Sequence, residues 1–163
     1  VALVMCDALV ISLLEARGFT AEQFAFSHPG GSLGRRLLLK VKTIMHCANQ
    51  IPRVSANTSI KDALMEMTQK GLGMTTVLDD NDALLGIFTD GDLRRALDKD
   101  IDFHNTPVSS VMTMTCSTID PEKLAAEALQ VMEEKKINAL VSVDGERVVG
   151  VINMHDLLRA GVI

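Results

Sequence analysis

The chain has 163 residues, 47% of them hydrophobic and 23% charged. That is an ordinary globular balance, long enough for one domain or two small packed modules, and it excludes intrinsic disorder. A net charge of −5, with no Trp and no Tyr, excludes nucleic-acid binding by broad phosphate neutralisation or by base stacking.

The apolar opening from Val1 to Leu14 is interrupted by Asp7 and falls short of the roughly 20 residues that a spanning helix needs, so no membrane segment is expected. It reads as a helix from Val1 to Arg17 that ends at Gly18. The start at Val1, without an initiator Met or a polar lead-in, reads as a piece of a longer chain. Phe24 to Gly34, FAFSHPGGSLG, is a loop with three glycines, and a short basic stretch follows (Arg35, Arg36, Lys40, Lys42). Gly30, Gly31 and Gly34 could turn amides toward a phosphate. Their spacing is not a dinucleotide fingerprint, and a tight turn between domains accounts for them better.

From there the chain repeats. Ile44-Met45 returns as Val111-Met112, Asp62-Ala63-Leu64 as Glu127-Ala128-Leu129, and GIFTDGDL from Gly86 as GVINMHDL from Gly150, at offsets of 67, 65 and 64. Two copies suggest a paired module with pseudo-twofold symmetry rather than a solenoid. In the first, Thr58 or Ser59 caps a helix with apolar residues at Ile60, Ala63, Leu64 and Met67. In the second, Asp120 caps, Pro121 takes the first helical position, and Ala125, Ala128, Leu129 and Met132 repeat the spacing. A hairpin follows each helix: Thr75–Leu78 with Leu84–Phe88, then Leu140–Val143 with Val148–Ile152 around Asp144-Gly145. Short helices close each unit, Gly91–Leu97 and His155–Ala160. The expected class is α+β, strand–helix–strand–strand–helix twice, with a polar linker from Lys99 to Pro107.

Thr89-x-x-Asp92 and Asn153-x-x-Asp156 each open a helix and read as capping boxes. Cys6, Cys47 and Cys116 share no metal or disulfide spacing with one another or with His46, His104 and His155. No metal site is expected, and the thiols suit a reducing cytoplasm. The methionines, such as Met65, Met67 and Met132, read as core filler.

The paired GIFTDGD and GVINMHD units resemble two CBS motifs, which together make a Bateman module. EARGFTAEQFAFSHPGGSLGRRLLLKVKTIMH, KGLGMTTVLDD and NMHDLLRAGVI more specifically resemble the C-terminal half of the bacterial D-arabinose 5-phosphate isomerase family, along essentially the whole chain. The resemblance implies a remnant of a sugar isomerase (SIS) domain over 1–40, a first CBS motif over 41–98, a linker over 99–107 and a second motif over 108–163. It implies that the parent interconverts D-ribulose 5-phosphate and D-arabinose 5-phosphate for Kdo and lipopolysaccharide synthesis. A paralogue serving capsule or sugar-alcohol pathways fits the sequence equally. The family's phosphate-binding serines and catalytic Lys and Glu would lie before Val1, so this chain alone is expected to be inactive.

His28 resembles a family catalytic position, where a group titrating near neutrality suits proton transfer through an enediol. Read without the family, it is a loop histidine beside Pro29. The resemblance also implies that Asp92 and Asp156 hold ribose hydroxyls while Thr89, Asn153 and the helix starts face a phosphate. Two pseudo-symmetric clefts would add Pro52, Arg53, Met74, Thr75 and Asn138, with Arg53, Arg94 and Arg95 as phosphate partners or as plain solvated charge. No cofactor is required; an adenine nucleotide or cytidine-linked Kdo is the implied regulatory ligand. A homodimer is expected, a tetramer for the full-length family. The rival expectation is a purely structural dimerising module.

Overall fold

The computed structural model describes residues 2–18, 38–99 and 101–163. It divides into two compact units, Val1–Leu39 and Lys40–Ile163. In the first, α1 (Ala2–Ala16) is built almost wholly from Ala, Leu, Val, Ile and Met. It stops at Gly18, whose φ of 62° is the left-handed conformation glycine adopts without a Cβ penalty. No helix among the described residues is long and apolar enough to cross a membrane.

The second unit begins with α2 (Val41–Ile44) and carries two three-stranded sheets. Sheet one comprises β1 (Arg53–Ser55), β2 (Met74–Leu78) and β3 (Leu84–Thr89), with α3 (Ile60–Lys70) between β1 and β2 and α4 (Asp90–Leu97) after β3. Sheet two comprises β4 (Thr118–Ile119), β5 (Ala139–Asp144) and β6 (Arg147–Asn153), with α5 (Ala125–Lys135) and α6 (Met154–Arg159) in the matching places. In each, the first strand runs parallel to the second and the second antiparallel to the third. This is strand–helix–strand–strand–helix twice, as the repeat implies. The copies agree even in their irregularities, since a register shift falls at Val77/Leu78 in one and at Ser142/Val143 in the other.

The helical periodicity maps onto burial. Ile60, Ala63 and Met67 are buried on α3, as are Ala125, Ala128 and Met132 on α5. Ser59 is the cap of α3, its Oγ accepting from the Asp62 amide at 3.1 Å. The linker completes that helix start: the carbonyls of Thr106 and Phe103 accept from the Ile60 and Lys61 amides, both at 3.0 Å, which satisfies donors a helix N-terminus leaves open.

Two local expectations are corrected. The second helix starts at Ala125, not Pro121. Asp120 instead closes a turn by accepting from the Glu122 and Lys123 amides. The Pro121 and Lys123 carbonyls accept from the Lys42 and Val41 amides, so α2 uses groups that an earlier helical turn would have needed. The second hairpin turns one residue later than expected. Asp144 pairs with Arg147, and Gly145 takes the positive φ of 63° in the two-residue loop.

The segments that lead into the motifs are exchanged. His46 bridges Val151 on β6, and Thr113 bridges Ile87 on β3, so each lead-in joins the sheet of the other motif. Glycine makes the approach possible. A Cβ on Gly86 would lie 2.6 Å from the Thr113 carbonyl oxygen, and one on Gly150 2.4 Å from Met45 Sδ. A shared core of Ile51, Met74, Leu78, Val141, Val148 and Val151 fills the space between the sheets, where side chains of both copies lose water together.

Candidate ligand cleft

β3 and β6 each deliver their last residue, Thr89 or Asn153, as the N-cap of the next helix. Each cap stands opposite the start of the neighbouring strand, Met74 or Ala139. The equivalent edges of the two motifs face one cleft of about 900 Å³, within the range of small-molecule sites. Motif 1 contributes Gly71 to Met74, Thr89, Asp90, Gly91 and Arg95. Motif 2 contributes Lys136 to Ala139, Asn153, Met154 and His155, and the lead-in to β4 adds Thr113 and Thr115 to Ser117.

Five of the residues singled out from sequence line this cleft: Met74, Thr89, Arg95, Asn138 and Asn153. The rest of the described set is not among its lining residues. Thr75 is fully buried in β2. The Pro52 carbonyl accepts from the Thr76 amide and hydroxyl, and the Arg53 guanidinium lies 3.7 Å from Asp82. Both therefore serve the sheet. His28 and the three glycines beside it lie outside the described residues. Equivalent positions of the two motifs share this cavity. A second cavity of about 460 Å³ lies along α4 between Asp92, Arg95, Lys99 and Met112.

Asp92 is 2% exposed, and its carboxylate is fully engaged. Oδ2 accepts from the Thr89 amide at 2.9 Å and hydroxyl at 2.7 Å. Oδ1 accepts from Arg95 Nη2 at 2.5 Å and Thr113 Oγ1 at 2.7 Å. A buried carboxylate needs such donors to offset the loss of water. Asp156 repeats the plan, accepting from the Asn153 amide at 2.9 Å and meeting His46 Nε2 at 2.9 Å. The capping-box reading of both motifs is therefore the geometry present.

Lys136, Asp90 and His155 also line the cleft and were not picked out from sequence. The repeat offers a signal for Lys136. At the offset of 65 it matches Gly71, and both end their helices in the left-handed conformation, Gly71 at φ 68° and Lys136 at φ 54°. Motif 2 thus holds a lysine in a backbone conformation for which motif 1 uses glycine. The lysine side chain forms no ion pair among the described residues. Nearby, burial raises the Cys116 thiol above its ordinary pKa.

Two sheets with exchanged lead-ins, facing one another across a cleft lined by equivalent helix starts, define a paired module of two repeated α+β units. The CBS domain model matches residues 41–99 and 108–163, and the chain belongs to the CBS domain family. It is 64% identical over 163 residues, 99% of its length, to arabinose 5-phosphate isomerase KdsD of Pseudomonas aeruginosa. It is 53% identical over 161 residues to the same-named protein of Escherichia coli K12. The match falls on the C-terminal region of these relatives, and the chain spans about half of their length. An uncharacterised conserved protein from Pyrococcus horikoshii shares the fold at TM-score 0.67 and 26% identity, over 76% of this chain and 92% of that one. CBSX2 in complex with AMP shares it at TM-score 0.65 and 23% identity, over 76% and 96%.

Proposed function

We propose that this chain is the regulatory and assembling CBS pair of a D-arabinose 5-phosphate isomerase, and that its cleft takes a nucleotide or sugar nucleotide. The observation that carries the reading is the cleft itself, about 900 Å³ in volume and lined by equivalent cap residues of both motifs. A ligand spanning it touches Thr89 and Arg95 on one side and Asn138, Asn153 and Lys136 on the other. It would therefore favour one mutual packing of the motifs over another, which is the differential affinity that regulation needs. AMP bound to a protein of the same fold supports the ligand class. The match to half of KdsD proteins supports the parent activity. Residues 1–40 are read as the end of the SIS domain, with His28 at its catalytic position; the chain alone is read as inactive, cytoplasmic and dimeric.

Thermal unfolding with AMP, CMP and CMP-Kdo tests the reading. A ligand at a hundred times its dissociation constant adds about 2.7 kcal/mol, a shift of roughly 5 to 10 °C for a chain of this size. A selective shift identifies the ligand; flat curves across the panel refute ligand binding. A ribulose 5-phosphate isomerisation assay on this chain alone should show no turnover.

One observation favours a second reading, a scaffold that binds nothing. The Asp92 carboxylate is already held by Thr89, Arg95 and Thr113, so a ribose would have to displace protein donors. Under that reading Asp92→Asn lowers stability and leaves every ligand response nil.

A further inference from the structure

The cap of α6 is tied to the segment through which the chain enters the CBS pair. Residues 40 to 46 lie along motif 2. The Val41 amide donates to the Lys123 carbonyl at 2.9 Å and the Lys42 amide to the Pro121 carbonyl at 3.0 Å. Lys40 and Lys42 both reach Glu122, and His46 exchanges backbone hydrogen bonds with Val151 at 2.8 and 3.0 Å. The His46 side chain goes further and meets Asp156 Oδ1 at 2.9 Å. The other oxygen of Asp156 holds the Asn153 amide, and Asn153, Met154 and His155 line the cleft. The equivalent carboxylate in motif 1, Asp92, is tied instead to Thr113, which lies within the pair. The same joint thus occurs twice, and only the His46 copy leads out of the module toward residues 1–39.

We infer that His46 is a positioning residue that couples the cleft-lining first turn of α6 to segment 40–46, so that a change at the cleft is conveyed to the chain entering the pair. Its imidazole spans the distance from the lead-in backbone to a nearly buried carboxylate, and no other side-chain hydrogen bond or ion pair among the described residues joins that segment to α6. The inference rests on the cleft being the ligand site, but the coupling can be measured without a ligand.

Hydrogen–deuterium exchange on the whole chain tests it. Asn153→Ala strips the cap of α6 from the cleft side. With His46 present, it should speed exchange at the Val41, Lys42, Met45 and His46 amides by a few-fold to roughly tenfold, the scale of the one neutral hydrogen bond lost between the Asp156 amide and the Asn153 side chain. In His46→Ala that response should vanish, and His46→Gln, which keeps an N–H donor at similar reach, should restore it. With AMP or CMP bound, exchange at 40–46 should change in the wild type and in His46→Gln but not in His46→Ala. An Asn153→Ala response that persists in His46→Ala assigns the coupling to the Val151 backbone bridge and overturns the proposal. So does a response absent from the wild type. If neither nucleotide binds, the ligand reading fails while the ligand-free comparison still decides the role of His46.

Discussion

Thr113 and Asp92, 21 residues apart in sequence, meet at 2.7 Å. The hydroxyl belongs to the lead-in of motif 2 and the carboxylate to the closing helix of motif 1. The contact therefore joins the exchanged segment to the cap that opens α4. Thr113→Val removes one donor from a carboxylate that is 2% exposed. It should cost about 1–3 kcal/mol, seen as a lower urea midpoint with an unchanged slope. Asp92→Ala should cost more, since it also strips the Thr89 amide of its partner. The double variant should fall short of additivity by about 0.5–3 kcal/mol.

How much of this was legible in the sequence depends on range. The burial of Ile60, Ala63 and Met67 follows from helical spacing alone, and the agreement of α5 follows from the repeat. The capping boxes at Thr89 and Asn153 are four-residue patterns and were read directly. The exchange of lead-ins joins His46 to Val151 and Thr113 to Ile87, contacts that leave no local periodicity. The start of α5 at Ala125 was hidden for the same reason. Its displacement from Pro121 is decided by Val41 and Lys42, some 80 residues earlier. That cap residues of both motifs line one cavity follows from how the motifs face one another, which neither motif encodes by itself.

The exchanged lead-ins also rank two glycines. An alanine at Gly86 places its Cβ against a backbone carbonyl, Thr113 O at 2.6 Å, which can yield only by moving the bridge. At Gly150 the nearest atoms are the Met45 side chain, with the His46 carbonyl at 3.1 Å, and a methionine can rotate away. Gly86→Ala should therefore cost about 1–3 kcal/mol, lowering Tm by roughly 2–12 °C. Gly150→Ala should cost less, and calorimetry on the two variants checks the order.

Glu122 gives the module an acid-sensitive clasp. Lys40 at 2.8 Å and Lys42 at 2.5 Å hold its carboxyl down at about 2, below the ordinary 4.5. The folded state thus binds the proton more weakly than the unfolded one. The stabilisation is complete above the ordinary carboxylate range, fades as pH falls below about 4.5, and is gone below about 2. Unfolding curves for Glu122→Gln and the wild type should differ at neutral pH and converge on acidification. All three groups are exposed, so added salt should shrink the difference as well.

Lys136 separates stability from binding. Its left-handed backbone, φ 54°, costs a residue with a Cβ about 1–2 kcal/mol, and the same place in motif 1 is held by Gly71 at φ 68°. Lys136→Gly relieves that strain and gives back part of the gain through a freer unfolded chain, about 0.4–1 kcal/mol. The net expectation is a Tm higher by up to roughly 6 °C. The variant also removes the ammonium from the lip of the cleft, so any Tm shift produced by AMP, CMP or CMP-Kdo should shrink. A gain in unliganded stability together with a loss of ligand response marks a residue kept for function against the preference of the backbone. A gain with an undiminished response would assign Lys136 to solvent and leave recognition to Thr89, Arg95, Asn138 and Asn153.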